Sequence, residues 1–186
     1  QPRSRGLGDV YKRQNMERIE NLASRVSKFI EADSLSLMNS FNNEVFLENN
    51  NLNTESVFSI FLPNTYEFYW NTSADEFRNK MLNQFNLYWN LSRKEKAKSL
   101  NLSPVEVSVL ASIVQRETPK VDERPTISGV YYNRLQKRMK LQADPTVVYT
   151  IKEKKGFDKK IRRVLYKDLK IKSPYNTYIN KGLPPG

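Results

Sequence analysis

The stretch from Ser103 to Pro119 constrains the fold most, because both ends of a helix are written into it. Ser103 stands three residues before Glu106 with Pro104 directly after it, the pattern of a capping box with proline at the first helical position. Pro119 disfavours an α conformation in the residue before it, so the helix ends at or before Thr118. Between these limits Val107, Leu110, Ile113 and Val114 recur at spacings of three and four. The helix is therefore amphipathic, and the rest of the chain has to cover its apolar stripe.

Weaker signals fill in the other elements. Ile19, Leu22, Ala23, Val26, Phe29 and Ile30 predict an amphipathic helix starting near Met16, with a further turn or two from Leu35 to Phe41. The Asn-rich stretch from Asn42 to Asn53 reads as short helix or loop. Val57 to Leu62, β-branched and aromatic and stopped by Pro63-Asn64, predicts a strand or extended segment. Ser73 caps a helix with Phe77, Met81, Leu82, Phe85 and Trp89 inside. Arg124-Pro125 opens another, with Ile127, Val130, Tyr131 and Leu135 on one face. Lys140 to Tyr149 reads as an Asp-Pro turn followed by an extended strand on which Gln142, Asp144 and Thr146 share a face. Gln1 to Gln14, basic and without apolar periodicity, reads as a foreign leader.

Composition narrows the chemistry. The 186 residues contain no His and no Cys, which excludes Ser-His-Asp and Cys-His nucleophile systems, disulfides, and zinc sites of the usual nitrogen and sulfur ligands. Proton transfer then falls to Asp, Glu, Lys or Tyr. No cofactor and no metal is expected. The formal charge of +11 suits nucleic acid, an anionic membrane face or a polyanionic wall matrix. No apolar run reaches the roughly 20 residues that span a bilayer.

Glu117 is the candidate acid. It follows Leu110 by seven residues, Ile113 by four and Val114 by three, so it projects from the apolar stripe in the last turn of its helix. Burial and the negative end of the helix dipole both disfavour an anion there and would raise its pKa, as a general acid requires. The competing reading is an ion pair with Arg116 or Arg124 that closes the helix end. Gln142, Asp144 and Thr146 could form a sugar-binding wall or a solvent-facing strand edge. The cluster Ser173-Pro174-Tyr175-Asn176-Thr177-Tyr178 could bind carbohydrate or be an ordinary turn.

Taken together, the strings LASIVQRET (110–118), Glu123-Arg124, Tyr132-Asn133-Arg134-Leu135, MKLQADPTV (139–147), SPYNTY (173–178) and GLPPG (182–186) resemble the MltG, or YceG-like, family of endolytic murein transglycosylases. Phe61-Leu62-Pro63-Asn64-Thr65-Tyr66 is similar to a further family segment, with Asn64 in place of Asp. The resemblance implies lytic cleavage between N-acetylmuramic acid and N-acetylglucosamine, leaving 1,6-anhydromuramoyl ends, with Glu117 as acid and then base. Where many members carry two glutamates in the catalytic block, this chain has Gln115 and Glu117. Substrate contacts implied by the resemblance and the clusters are Arg124, Asn133, Gln142, Asp144, Thr146, Tyr175, Asn176, Thr177 and Tyr178.

The same resemblance implies an α+β, lysozyme-like catalytic domain preceded by a mainly helical segment. The expected divisions are a leader at 1–14, a helical part at 15–100 and a C-terminally truncated catalytic core at 101–186. Implied partners are peptidoglycan glycan strands and peptidoglycan synthases, at the outer face of the cytoplasmic membrane, through an anchor this fragment lacks. No nucleic acid is expected. Two rival classes stand beside this one. The first is a nucleic-acid-binding module using Lys152 to Arg163, where seven of twelve residues are Lys or Arg, together with Tyr131, Tyr132 and Tyr149. The second is a wall-binding protein without catalysis.

Overall fold

The computed structural model describes residues 10–12 and 16–186, with side chains from Met16 onward. The chain divides into two compact units, the boundary falling between Lys96 and Ala97. Of the expected leader, Val10–Lys12 forms strand β1, and the rest lies outside the described residues.

In the first unit α1 spans Ile19–Val26, α2 Ser34–Phe41 and α3 Glu44–Asn49. Strand β2, Thr65–Glu67, pairs antiparallel with β1, Tyr11 opposite Tyr66. Helix α4 spans Ala74–Tyr88, and α5, Leu91–Ser99, runs across the unit boundary. The first helix is shorter than its periodicity predicts. It ends at Val26, where the Phe29 amide closes a tight turn on the Val26 carbonyl at 2.9 Å, and Ile30 is still buried.

Val57 to Leu62 does not form the expected strand. Ser56–Ile60 is a 3-10 helix, entered through Asn53, whose Oδ1 accepts from the Ser56 amide at 2.7 Å. Val57, Ile60 and Phe61 are all buried, and their three-four spacing suits a helical turn better than an alternating strand. Helix α4 follows its sequence signals, with reciprocal Ser73–Glu76 bonds at its start and Phe77, Met81 and Phe85 inside. The rings of Phe41, Phe61, Phe68 and Phe77 form the aromatic centre, with centroids 4.7 to 6.1 Å apart. Arg78 is buried beside them. Its guanidinium bonds the Ser40 carbonyl and Asp75, both at 2.9 Å, and covers the Phe46 ring, so the charge is paired.

The second unit holds α6, Pro104–Glu117, α7, Arg124–Gln136, and α8, Asp144–Lys155. Helix α6 has the predicted boundaries: the Ser103 hydroxyl accepts from Glu106, Glu106 accepts from the Ser103 amide, and Thr118 is extended. Its stripe packs into a core of Leu110, Ile113, Val114, Tyr131, Leu141 and Ala143, backed by Leu102, Ile127, Leu135 and Leu183. Val130, expected on the inner face of α7, is exposed.

The expected strand within Lys140 to Tyr149 is instead a short irregular approach and the start of α8. Ala143 is the N-cap and Pro145 lies in the first turn, so the Asp-Pro pair opens a helix. Thr146, Val147, Thr150 and Ile151 are buried at three-four spacing, and this packing overrides their β propensity. The described residues are therefore mostly helical, with two three-residue strands, less strand than an α+β expectation implies. Among them no helix is long and apolar enough to cross a membrane.

Candidate active site at the end of helix α6

Glu117 is the last residue of α6, and Pro119 is the reason the helix stops there. The core cluster reaches Val114 and goes no further, so the last turn extends past it and Glu117 is exposed, not enclosed as its position on the stripe predicts. Its carboxylate is nonetheless held from the inner side. Tyr131, buried on α7, donates its hydroxyl to Glu117 Oε2 at 2.8 Å. Burial first, and then the bond and charge of Glu117, push the Tyr131 phenol well above its ordinary range. The loop after α6 is fastened separately: Thr118 donates to Glu123 at 2.7 Å, and Lys120 pairs with Glu123 at 2.9 Å.

A second carboxylate acts on the same tyrosine, Tyr131. Asp144 is the first residue of α8, where the helix dipole favours an anion, and it accepts the Tyr178 hydroxyl at 2.6 Å. Burial pushes the Tyr178 phenol up to about 12, with the Asp144 bond and the charges of Asp144 and Glu117 adding to the effect and Arg134 opposing it. Glu117, Asp144 and Arg134 all act on both tyrosines, so these five side chains share one electrostatic neighbourhood. Arg134 Nη1 donates to the Leu141 carbonyl at 2.7 Å and to Gln142 Oε1 at 3.0 Å. Gln142 has φ of 55°, a left-handed conformation unusual outside glycine, and its side chain is exposed beside this group.

The remaining candidates frame the site instead of facing it. Thr146 and Thr177 are buried against each other with hydroxyl oxygens 2.9 Å apart. Thr146 donates to the Ala143 carbonyl at 2.7 Å, so Thr177 is the donor between the two hydroxyls, and Thr177 accepts from the Ala143 amide at 3.0 Å. The 173–178 loop is thereby fixed to the start of α8. Asn176 is fully enclosed: its Nδ2 bonds the carbonyls of Leu169 and Ile171 at 3.1 and 2.8 Å, and its Oδ1 accepts from Tyr178 at 3.0 Å. All three are enclosed by protein and bonded within it, as the ordinary-turn reading of the 173–178 cluster has it for Asn176 and Thr177, while Thr146 stands apart from an exposed edge. Gln142, Asp144 and Thr146 do not share a face, because the chain turns into a helix between them.

Tyr175 is half-buried, its ring centroid 4.6 Å from that of Tyr149. Asn133 is exposed on α7. Arg124 points elsewhere, lining an apolar groove with Val107, Val114, Val121 and Tyr132, where its buried Nε has no hydrogen-bond partner. Sequence reasoning missed two members of the cluster. Tyr131 sits at helical spacing among apolar residues and reads as core, and Arg134 reads as surface charge. Neither spacing nor composition reveals that they meet Glu117 and Gln142.

This fold is shared with a yceG-like protein of Listeria monocytogenes solved by crystallography. The two superpose with a TM-score of 0.77 over 96% of this chain and 62% of the other, at 24% identity. Residues 10–186 match the YceG-like family, and the chain belongs to it. A relative from Bacillus subtilis (strain 168) named endolytic murein transglycosylase is 42% identical over 125 residues, 67% of this chain and 33% of that protein. Another of the same name from Streptococcus pneumoniae strain R6 is 34% identical over 128 residues, 67% of this chain and 22% of that one. The chain thus spans a third or less of the length of these curated relatives.

Proposed function

We propose that the protein is a peptidoglycan lytic transglycosylase that cuts glycan strands between N-acetylmuramic acid and N-acetylglucosamine, with Glu117 as the acid and then the base. The observation that carries this reading is the position of Glu117: exposed at the end of α6, held by the Tyr131 hydroxyl, and near enough to Asp144 and Tyr178 to share their electrostatic neighbourhood. The name shared by the relatives supports the substrate.

The chemistry balances without water. Glu117 gives its proton to the bridging oxygen, the bond from that oxygen to the muramoyl C1 breaks, and the N-acetylglucosamine side leaves with a free 4-hydroxyl. The muramoyl C6 hydroxyl then closes on C1, and its proton passes to Glu117, which is restored as the acid. Because the attacking oxygen belongs to the sugar, no second carboxylate has to stand about 5 Å from the first as nucleophile, which a retaining hydrolase needs. Asp144 is then free to hold Tyr178 and to stabilise positive charge that develops at C1. Gln142, set by Arg134, orients the sugar.

In this reading the second unit is a lysozyme-like catalytic domain. The protein works in the bacterial cell envelope, at the outer face of the cytoplasmic membrane, beside the synthases that extend its substrate. The test is mass analysis of purified glycan strands after incubation with the protein and with Glu117→Gln. Anhydromuramoyl ends should form with the first and not with the second. Their absence from both digests, or equal release by both, would overturn the reading.

A further inference from the structure

We infer that Tyr131 is a positioning residue for the reaction, selecting which oxygen of Glu117 carries the proton and where that oxygen points. The inference rests on the proposed role of Glu117. A carboxyl group in its acid form has one O–H, and the two oxygens compete for it. Tyr131 donates to Oε2 at 2.8 Å from a ring buried in the second unit's core, so Oε2 is occupied as an acceptor and the proton resides on Oε1. Oε1 is the oxygen left to meet the bridging atom of a bound strand.

The donor itself is well suited to the task. Its phenol is pushed far above its ordinary range, chiefly by burial, so it stays protonated wherever the enzyme works and does not compete as an acid. The ring is anchored among Leu110, Ile113, Val114 and Leu141, which fixes the hydroxyl in space beside the exposed Glu117 chain. The same hydroxyl also serves the second half of the reaction, because a hydrogen bond from a neutral donor strengthens on a carboxylate and steadies Glu117 after it has given up its proton. Charged and titratable groups near this pair include Arg116 on α6, Arg134 on α7, Asp144 at the start of α8 and Tyr178 in the loop beyond it. Of these, Arg134 donates to the Leu141 carbonyl and Gln142, and Tyr178 donates to Asp144. Arg134 and Tyr178 are thus engaged elsewhere, so removing the Tyr131 hydroxyl has a separable effect.

The experiment compares the wild-type chain with Tyr131→Phe, Glu117→Gln and Ile127→Val on purified glycan strands, following kcat and KM from pH 4 to 9. Ile127→Val trims the same core without touching Glu117 and serves as the structural control. Removing the donor disfavours the carboxylate relative to the acid. The alkaline limb of kcat/KM should therefore move up by about one pH unit in Tyr131→Phe. Its kcat below that limb should fall about tenfold, with KM little changed. Ile127→Val should leave the limb in place.

A Tyr131→Phe profile that coincides with wild type, or one that loses rate without moving the limb as a core mutant would, overturns the inference while leaving the role of Glu117 intact. Activity in Glu117→Gln overturns the underlying reading and this inference with it.

Discussion

Thr177→Val isolates the node that joins the 173–178 loop to α8. Valine keeps the volume and removes one hydroxyl that is 1% exposed and makes two bonds, accepting from the Ala143 amide at 3.0 Å and donating to Thr146 at 2.9 Å. The Ala143 amide is then left buried without a partner, which costs about 1–3 kcal/mol, and the lost hydroxyl pair adds about 1 kcal/mol. A loss of about 2–4 kcal/mol is expected, or roughly 4–16 °C in melting temperature for a chain of this size. Thr177→Ser retains both bonds and loses one methyl, so it should cost only about 1 kcal/mol. Urea titrations followed by circular dichroism at matched protein concentration measure both. A larger loss in Thr177→Ser than in Thr177→Val would mean that the methyl, and not the hydroxyl, holds the loop. A large rise in KM with unchanged stability in Thr177→Val would refute the reasoning outright, since it would place the hydroxyl on the substrate.

Two further expectations follow from the geometry. Gln142→Gly should leave stability unchanged or slightly raised, because relief of about 1–2 kcal/mol of left-handed strain at φ of 55° offsets the entropic cost of glycine, while glycan cleavage falls at least tenfold; a clear drop in melting temperature would show that the side chain serves the fold. In the first unit, bonds from Ser73 hold the Glu76 carboxyl below its ordinary range. Its contribution is therefore present above the usual carboxylate pKa and lost as pH falls through the lowered one, so the stability gap between wild type and Glu76→Gln should close between pH 5 and pH 3; a gap of constant size over that range would sink this assignment.

What could be read in advance was punctuation more than propensity. Helices α4 and α6 have the boundaries their capping boxes predict, because Ser73–Glu76 and Ser103–Glu106 satisfy orphan amides locally and need nothing from the rest of the chain. Val57 to Leu62 and Val147 to Tyr149 misled because β-branched residues favour extended chain only when a neighbouring strand is available. Here burial on one side of a helical turn decided instead. At the site, the place of Glu117 at the end of its helix was legible, and its exposure was not, since the stripe says nothing about where the covering core stops. Asn176 and Thr177 read as surface ligands because the carbonyls and amides they satisfy lie in other segments: Leu169 and Ile171 for one, Ala143 for the other. Tyr131 was invisible for the opposite reason, a polar tip on a ring that packs like Phe.

Pro119 has a consequence beyond ending α6. Its ring is a covalent brake, so the axial height of the acid is set by bonds that neither warming nor sequence drift in the interior can loosen. Volume-conserving exchanges at Leu110, Ile113 or Val114 can therefore accumulate over generations while the carboxyl group stays in register with the Tyr131 hydroxyl.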